Sequence, residues 1–213
     1  MIEKYLQIEA RSLVLIGNFN PLIFQPSWLS LKNLIQEEEA ESANIEVIHP
    51  EITKFDIGDW LKVEVTVNRC SFSTAKEPYF DPMKDLVLSI FQILRETPMS
   101  AFGINNTFNL TLQNIDNYFK FGKALTPLDI WDENVKEPRL LRLDITEDQR
   151  TDSLKRNITI RPSNQKLGVS VNINNDYEIK NAASIVDVLN KNWDKESSNS
   201  RQIVDNLLKK IYY

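Results

Sequence analysis

The chain has 213 residues, 42% hydrophobic and 26% charged, which is enough apolar material for one large domain or two small ones whose cores need no staples. A formal charge of −5 works against duplex nucleic acid, whose phosphates demand cations, and a single cysteine, Cys70, rules out an intrachain disulfide framework. No apolar run approaches the length of a membrane span, and Glu3, Lys4, Glu9 and Arg11 break the N-terminal stretch a signal peptide would need, so a cytoplasmic, membrane-free protein is expected by elimination.

Residues 5–16 read as a strand, with Leu13 to Ile16 as a continuous apolar run that ends at Gly17 and Asn18. Two prolines, Pro21 and Pro26, hold 19–28 extended. A short helix follows with Ser27 as its cap and Trp28, Leu31, Leu34 and Ile35 as its apolar face, then an acidic connection at 36–42. Residues 60–72 give the clearest strand signal, because Leu61, Val63, Val65 and Val67 alternate with Lys62, Glu64, Thr66 and Asn68. Residues 45–55 read as its hairpin partner.

Asp81 as a cap and Pro82 at the first position open the clearest helix, whose stripe is Met83, Leu86, Val87, Ile90, Phe91 and Leu94 and whose end is forced by Pro98. A strand at 99–112 puts Phe102, Ile104, Phe108, Leu110 and Leu112 on one face, and Asn106 falls in that apolar register. A helical turn at 114–121 stops at Gly122, and a second turn runs from Thr126 through Trp131. Strands at 139–145, 156–161 and 167–173 form a meander with a polar turn at 147–153. Two helices, 182–193 and 201–212, close the chain with Ser200 capping the second, and no internal repeat or linker is evident in the sequence. The expected fold is therefore α+β, one domain over 1–213, with a mostly antiparallel sheet of about six strands covered by a long central helix and C-terminal helices.

Chemical motifs are sparse. His49 is the only histidine and has no nucleophile elbow beside it. Cys70 falls with Lys62 and Asn68, off the main apolar face unless a bulge intervenes. Asp129, Asp132 and Glu133 around Trp131 lack the glycine-containing ligand ladder of a calcium loop and suit a solvated helix start. Five glycines form no phosphate-cradling loop. No cofactor, metal site or catalytic residue is expected.

Three binding candidates remain. The apolar loop with Phe19, Phe24 and Trp28 is either an exposed docking surface or a cover over the open end of the sheet. Asn105, Asn106, Asp129 and Trp131 are candidates to line a pocket between sheet and helix, Asn106 doubling as a backbone pin. Arg142, Arg156 and Arg161 crowd the meander, to grip an anion or to form a solvated, ion-paired face.

Three short motifs, Asn68-Arg69-Cys70-Ser71-Phe72 before a long helix, Phe102-Gly103-Ile104-Asn105-Asn106 in the following strand, and 171–177 running into an acidic-aromatic pair, resemble an uncharacterised, sporadically distributed bacterial protein family. The middle motif lacks that family's usual tyrosine. The resemblance implies a topology and a prokaryotic setting and no activity. The leading expectation is a non-enzymatic protein that binds another protein or itself through a sheet edge or the 19–28 loop. A small-molecule or enzyme pocket, and anion or nucleic-acid binding by the meander, are the alternatives.

Overall fold

The structure, a computed structural model, describes residues 1–131, 133–147, 154–179 and 182–213. A 3-10 turn leads into β1 (Leu6–Gly17), and the chain then leaves the sheet through a 3-10 turn at Pro21–Ile23, α1 (Pro26–Leu31) and α2 (Glu37–Glu41). It returns as a meander of β2 (Asn44–His49), β3 (Ile52–Ile57), β4 (Leu61–Thr66) and β5 (Arg69–Thr74), which places β5 against β1, and α3 (Phe80–Ile93) crosses over it. The same order recurs. Strand β6 (Met99–Thr111) is followed by an excursion through α4 (Ile115–Leu125) and a 3-10 turn at Leu128–Trp131, a meander of β7 (Leu143–Thr146), β8 (Leu154–Pro162) and β9 (Gly168–Glu178), and α5 (Ala183–Tyr212).

Strands β1 and β6 join the two halves antiparallel, giving one nine-stranded sheet in the order β2-β3-β4-β5-β1-β6-β9-β8-β7. The repetition lies in topology; the residues do not repeat. Strands before and after α3 share one sheet, as expected, and there are nine among the described residues against an expectation of about six. The extra strands come from turns of two residues: Pro50-Glu51 divides 45–55 into β2 and β3, and Val67-Asn68 divides 60–72 into β4 and β5. The second turn also moves Cys70 onto the core face opposite Val65, where it is fully buried. Burial pushes its thiol pKa well up, despite Arg69.

Burial alternates along β3, β4 and β5, with Phe55, Ile57, Leu61, Val63, Val65 and Phe72 inward. Helix α3 lays Met83, Leu86, Val87, Ile90 and Phe91 on them, each worth about 1.5–3 kcal/mol relative to exposure. It begins at Phe80, so Asp81 lies inside the first turn, where its carboxylate accepts a 2.8 Å bond from Trp193 Nε1. Helix α4 is capped by Asn114, whose side chain accepts from the Asn117 N–H at 2.8 Å, and runs through Gly122 to Leu125. Gln25, whose side chain donates back to the Leu22 carbonyl at 2.8 Å and makes no capping bond, takes the cap position of α1 in place of Ser27.

The two expected C-terminal helices are one helix of 30 residues. Residues 195–200 look like a break because they are polar, but Glu196, Ser197 and Ser200 point inward, where sheet groups meet Glu196 and Ser200. The N-terminal part of α5 (Ile185, Leu189, Trp193) completes the core under the first half, and its C-terminal part (Val204, Leu208, Ile211) completes the core under the second. The helices draw on these two cores, which line one face of the sheet. On the opposite face Ser73, Ser12, Asn105, Asn174, Asn157 and Thr146 form a row of short polar side chains across six strands. Among the described residues, no helix is long and apolar enough to cross a membrane.

Candidate functional site

The 19–28 loop takes the covering alternative. Phe19 and Phe24 are buried with their rings 6.2 Å apart and edge-on, and each lies beside Phe91 of α3, at 6.4 and 6.2 Å. The Pro21 carbonyl accepts a buried 2.8 Å bond from Thr53 Oγ1 of β3, which pins the loop down. Trp28 is half-buried against Phe24. Phe19 and Phe24 have no face to offer a partner, so the docking-surface expectation for this loop does not stand.

Asn105 and Asn106 are neighbours in β6 and face opposite sides. Asn105 lies on the helix-free face and donates a long 3.5 Å bond to the Ser12 carbonyl. Asn106 faces α5 and donates to Ser200 Oγ at 3.2 Å. One pocket holding both is therefore geometrically excluded. Trp131 sits in the turn beyond α4, half exposed, and Asp132 lies outside the described residues.

The meander arginines do not converge either. Arg142 pairs with Asp144 through two bonds of 2.6 and 3.1 Å. Arg156 faces α5 and Arg161 faces the other way, exposed. The expected grip on an anion is not assembled; Arg150, Asp148 and Asp152 lie outside the described residues. His49 is an exposed residue beside the β2–β3 turn, its Nδ1 accepting from the Glu51 N–H.

Arg156 organises a buried polar seam that separates the two cores. Its guanidinium donates to Glu196 Oε2, Glu147 Oε2 and Asn175 Oδ1, each at 2.7 Å. The Glu196 side chain is 0% exposed. Asn175 donates in turn to Ser200 Oγ and the Ile104 carbonyl, both at 3.4 Å, so Ser200 gathers Asn106 and Asn175 from two strands. Nearby, Tyr177 is held against Glu196, and burial, then the carboxylate, pushes its hydroxyl pKa up. A cleft of about 270 Å³, lined by Leu154, Tyr177, Val188, Lys191, Asn192 and Glu196 among others, reaches this seam from the surface.

Apolar side chains are exposed at several places, among them the segments around β7. On the excursion into β7, Ile130 is 69% exposed, Trp131 50%, Leu141 79% and Ile145 47%. The chain ahead of β7 is tethered to α4: the Arg139 guanidinium stacks 5.1 Å from the Phe119 ring centroid, and Leu140 lies over Gly122. Leu141 is left facing solvent.

Strand β7 is an edge strand, with only β8 beside it among the described residues. The Glu147 N–H donates to the Arg156 carbonyl at 2.9 Å, which makes that pair a hydrogen-bonded one. Alternation along an antiparallel ladder then gives the backbone groups of Leu143 and Ile145 to β8 and turns those of Asp144 and Thr146 outward. The opposite edge, β2, is blunted by a register shift between Ile45 and Val47, by Pro50, and by the Glu46–Lys54 ion pair at 2.7 Å. Strand β7 has no such shift.

Sequence reasoning named Trp131 and Arg142 in this region and missed Leu141 and Ile145. Their signal is present in the sequence, where 141–145 alternates apolar and charged residues within the strand expected at 139–145. Glu196 was missed because it sat in a supposed helix break. No protein-family model and no curated protein matches this chain.

Proposed function

We propose that the chain is a non-enzymatic interaction or assembly protein, prokaryotic in setting, that docks another polypeptide along the β7 edge and the excursion leading into it. The observation that carries this reading is the coincidence of an open backbone edge with Leu141 and Ile145 exposed along it and Ile130 and Trp131 exposed on the segment before it. An edge strand supplies backbone hydrogen bonds, and alternate side chains supply selectivity. A photo-crosslinking residue at position 141 of the full chain, expressed in cells, is expected to trap a protein adduct. The same residue at Glu96, an exposed position in the α3–β6 connection, traps none. Equal labelling from both positions, or none from 141, refutes the reading.

The cleft beside the seam supports a second reading, a small polar ligand held by Tyr177 and Glu196. The supporting observation is that Glu196 Oε1 and the Tyr177 hydroxyl are buried with no hydrogen bond of good geometry and line a cleft open to solvent. Native mass spectrometry of the purified chain would then show a retained small molecule that Val188→Trp, which fills the cleft, removes.

A further inference from the structure

We propose that the occupant of the β7 edge is a second copy of the same chain, paired antiparallel about a two-fold axis at Leu143. This rests on the interaction reading above and names its partner. A two-fold edge contact is self-complementary, so the strand must match its own reverse. Outward-facing backbone belongs to the even-numbered residues, so 142, 144 and 146 must pair among themselves.

That leaves five positions for the axis, of which the one at Thr146 sets the apolar Ile145 against Glu147. At Arg142 or at Asp144 a like charge sits directly opposite itself, which is destabilising. At Ile145 the axis sets Leu143 against Glu147. At Leu143 it sets Arg142 against Asp144 of the second copy, twice, with each pair closed by backbone hydrogen bonds. The same register sets Leu141 against Ile145 of the second copy, twice, and Leu143 against itself. Parity agrees throughout. The charged residues fall on the helix-free face, and the three apolar ones fall on the face that carries the cores, where Leu143 already packs at the margin of the second core. The 79% and 47% exposure of Leu141 and Ile145 becomes mutual cover. The Arg142–Asp144 bond within one chain is the resting form of the same charge pair. Two nine-stranded sheets would thereby continue into one.

The test is sedimentation velocity on the full chain over a concentration series. Wild type is expected to dimerise in roughly the micromolar range appropriate to a short interface. Arg142→Asp and Asp144→Arg each turn two opposite-charge pairs into two like-charge pairs, and each alone is expected to weaken the dimer by at least about tenfold. Mixed in equal amounts, these two variants restore both pairs across the interface and should dimerise again. A charge pair that acts only within one chain cannot produce that recovery. A wild type that stays monomeric, single variants that dimerise normally, or a mixture that stays monomeric each overturn the proposal. If position 141 then still crosslinks to a different protein, the interaction reading survives without self-pairing; if it crosslinks to nothing, both fall.

Discussion

Arg156 is the residue on which the interior of the second half turns. Three acceptors surround its guanidinium, and one of them, the Glu196 carboxylate, is fully buried. Removing the guanidinium takes the 2.7 Å partner from a buried carboxylate and leaves it the exposed Lys195 at 4.0 Å, so Arg156→Ala is expected to cost about 3–5 kcal/mol in urea unfolding. Replacing both partners, Arg156→Leu with Glu196→Leu, should recover much of that loss, because no buried charge is then stranded. A double variant no more stable than Arg156→Ala would contradict this account. Asp205 offers a pH-dependent case. Lys209 Nζ at 2.7 Å, the Met1 amine at 2.8 Å and the Ile2 N–H at 2.8 Å hold its carboxyl below the ordinary range. The folded chain thus binds that proton more weakly than the unfolded chain does. The stabilisation is complete above an ordinary carboxyl value of about 4 and fades as pH falls below it. The Tm difference between wild type and Asp205→Asn should therefore be widest near neutrality and shrink toward pH 2; a gap that grows with acid would refute it. Of these residues, the sequence disclosed Asn106 as a polar group in an apolar register. Its partner Ser200 was hidden, because 94 positions of chain separate them and a serine before a periodic run looks like a helix cap.

At the scale of elements, amphipathic periodicity was readable and its interruptions were not. Helix α3 declared itself through an unbroken stripe, and β6 through alternation. The turns at 50–51 and 67–68 contain no glycine, so hairpins β2–β3 and β4–β5 each merged into a single strand on reading. Helix α5 was cut in two for the opposite reason: its central polar band is satisfied by groups from strands distant in sequence, which local propensity does not register. One junction between elements makes a direct test. At the end of β1, the Asn18 N–H donates to the Pro98 carbonyl at 2.9 Å, and a Cβ on Gly17 would collide with that same carbonyl oxygen. Gly17→Ala must push β1 from the start of β6 and should cost about 1–3 kcal/mol by denaturant titration. Unchanged stability would mean that the junction yields freely.

Across the whole molecule, the two halves share an order of elements and one continuous sheet, yet they do not close separately. Helix α5 begins in one core and ends in the other, and the seam of Arg156, Glu196, Asn175, Ser200 and Asn106 lies between. Of the candidate site, the sequence offered Arg142 and Trp131. Which strand forms the sheet edge depends on strand order, and strand order is set by contacts between segments far apart in the chain.

Cys70, sealed beneath α3 and the only thiol in the chain, gives the molecule a built-in stopwatch. Iodoacetamide reaches that sulfur only when the first core gapes, and with ample reagent the alkylation rate then equals the rate of gaping. Because α5 straddles both cores, the curve of rate against urea should merge with that for global unfolding. A plateau at low urea would instead reveal a first half that breathes on its own.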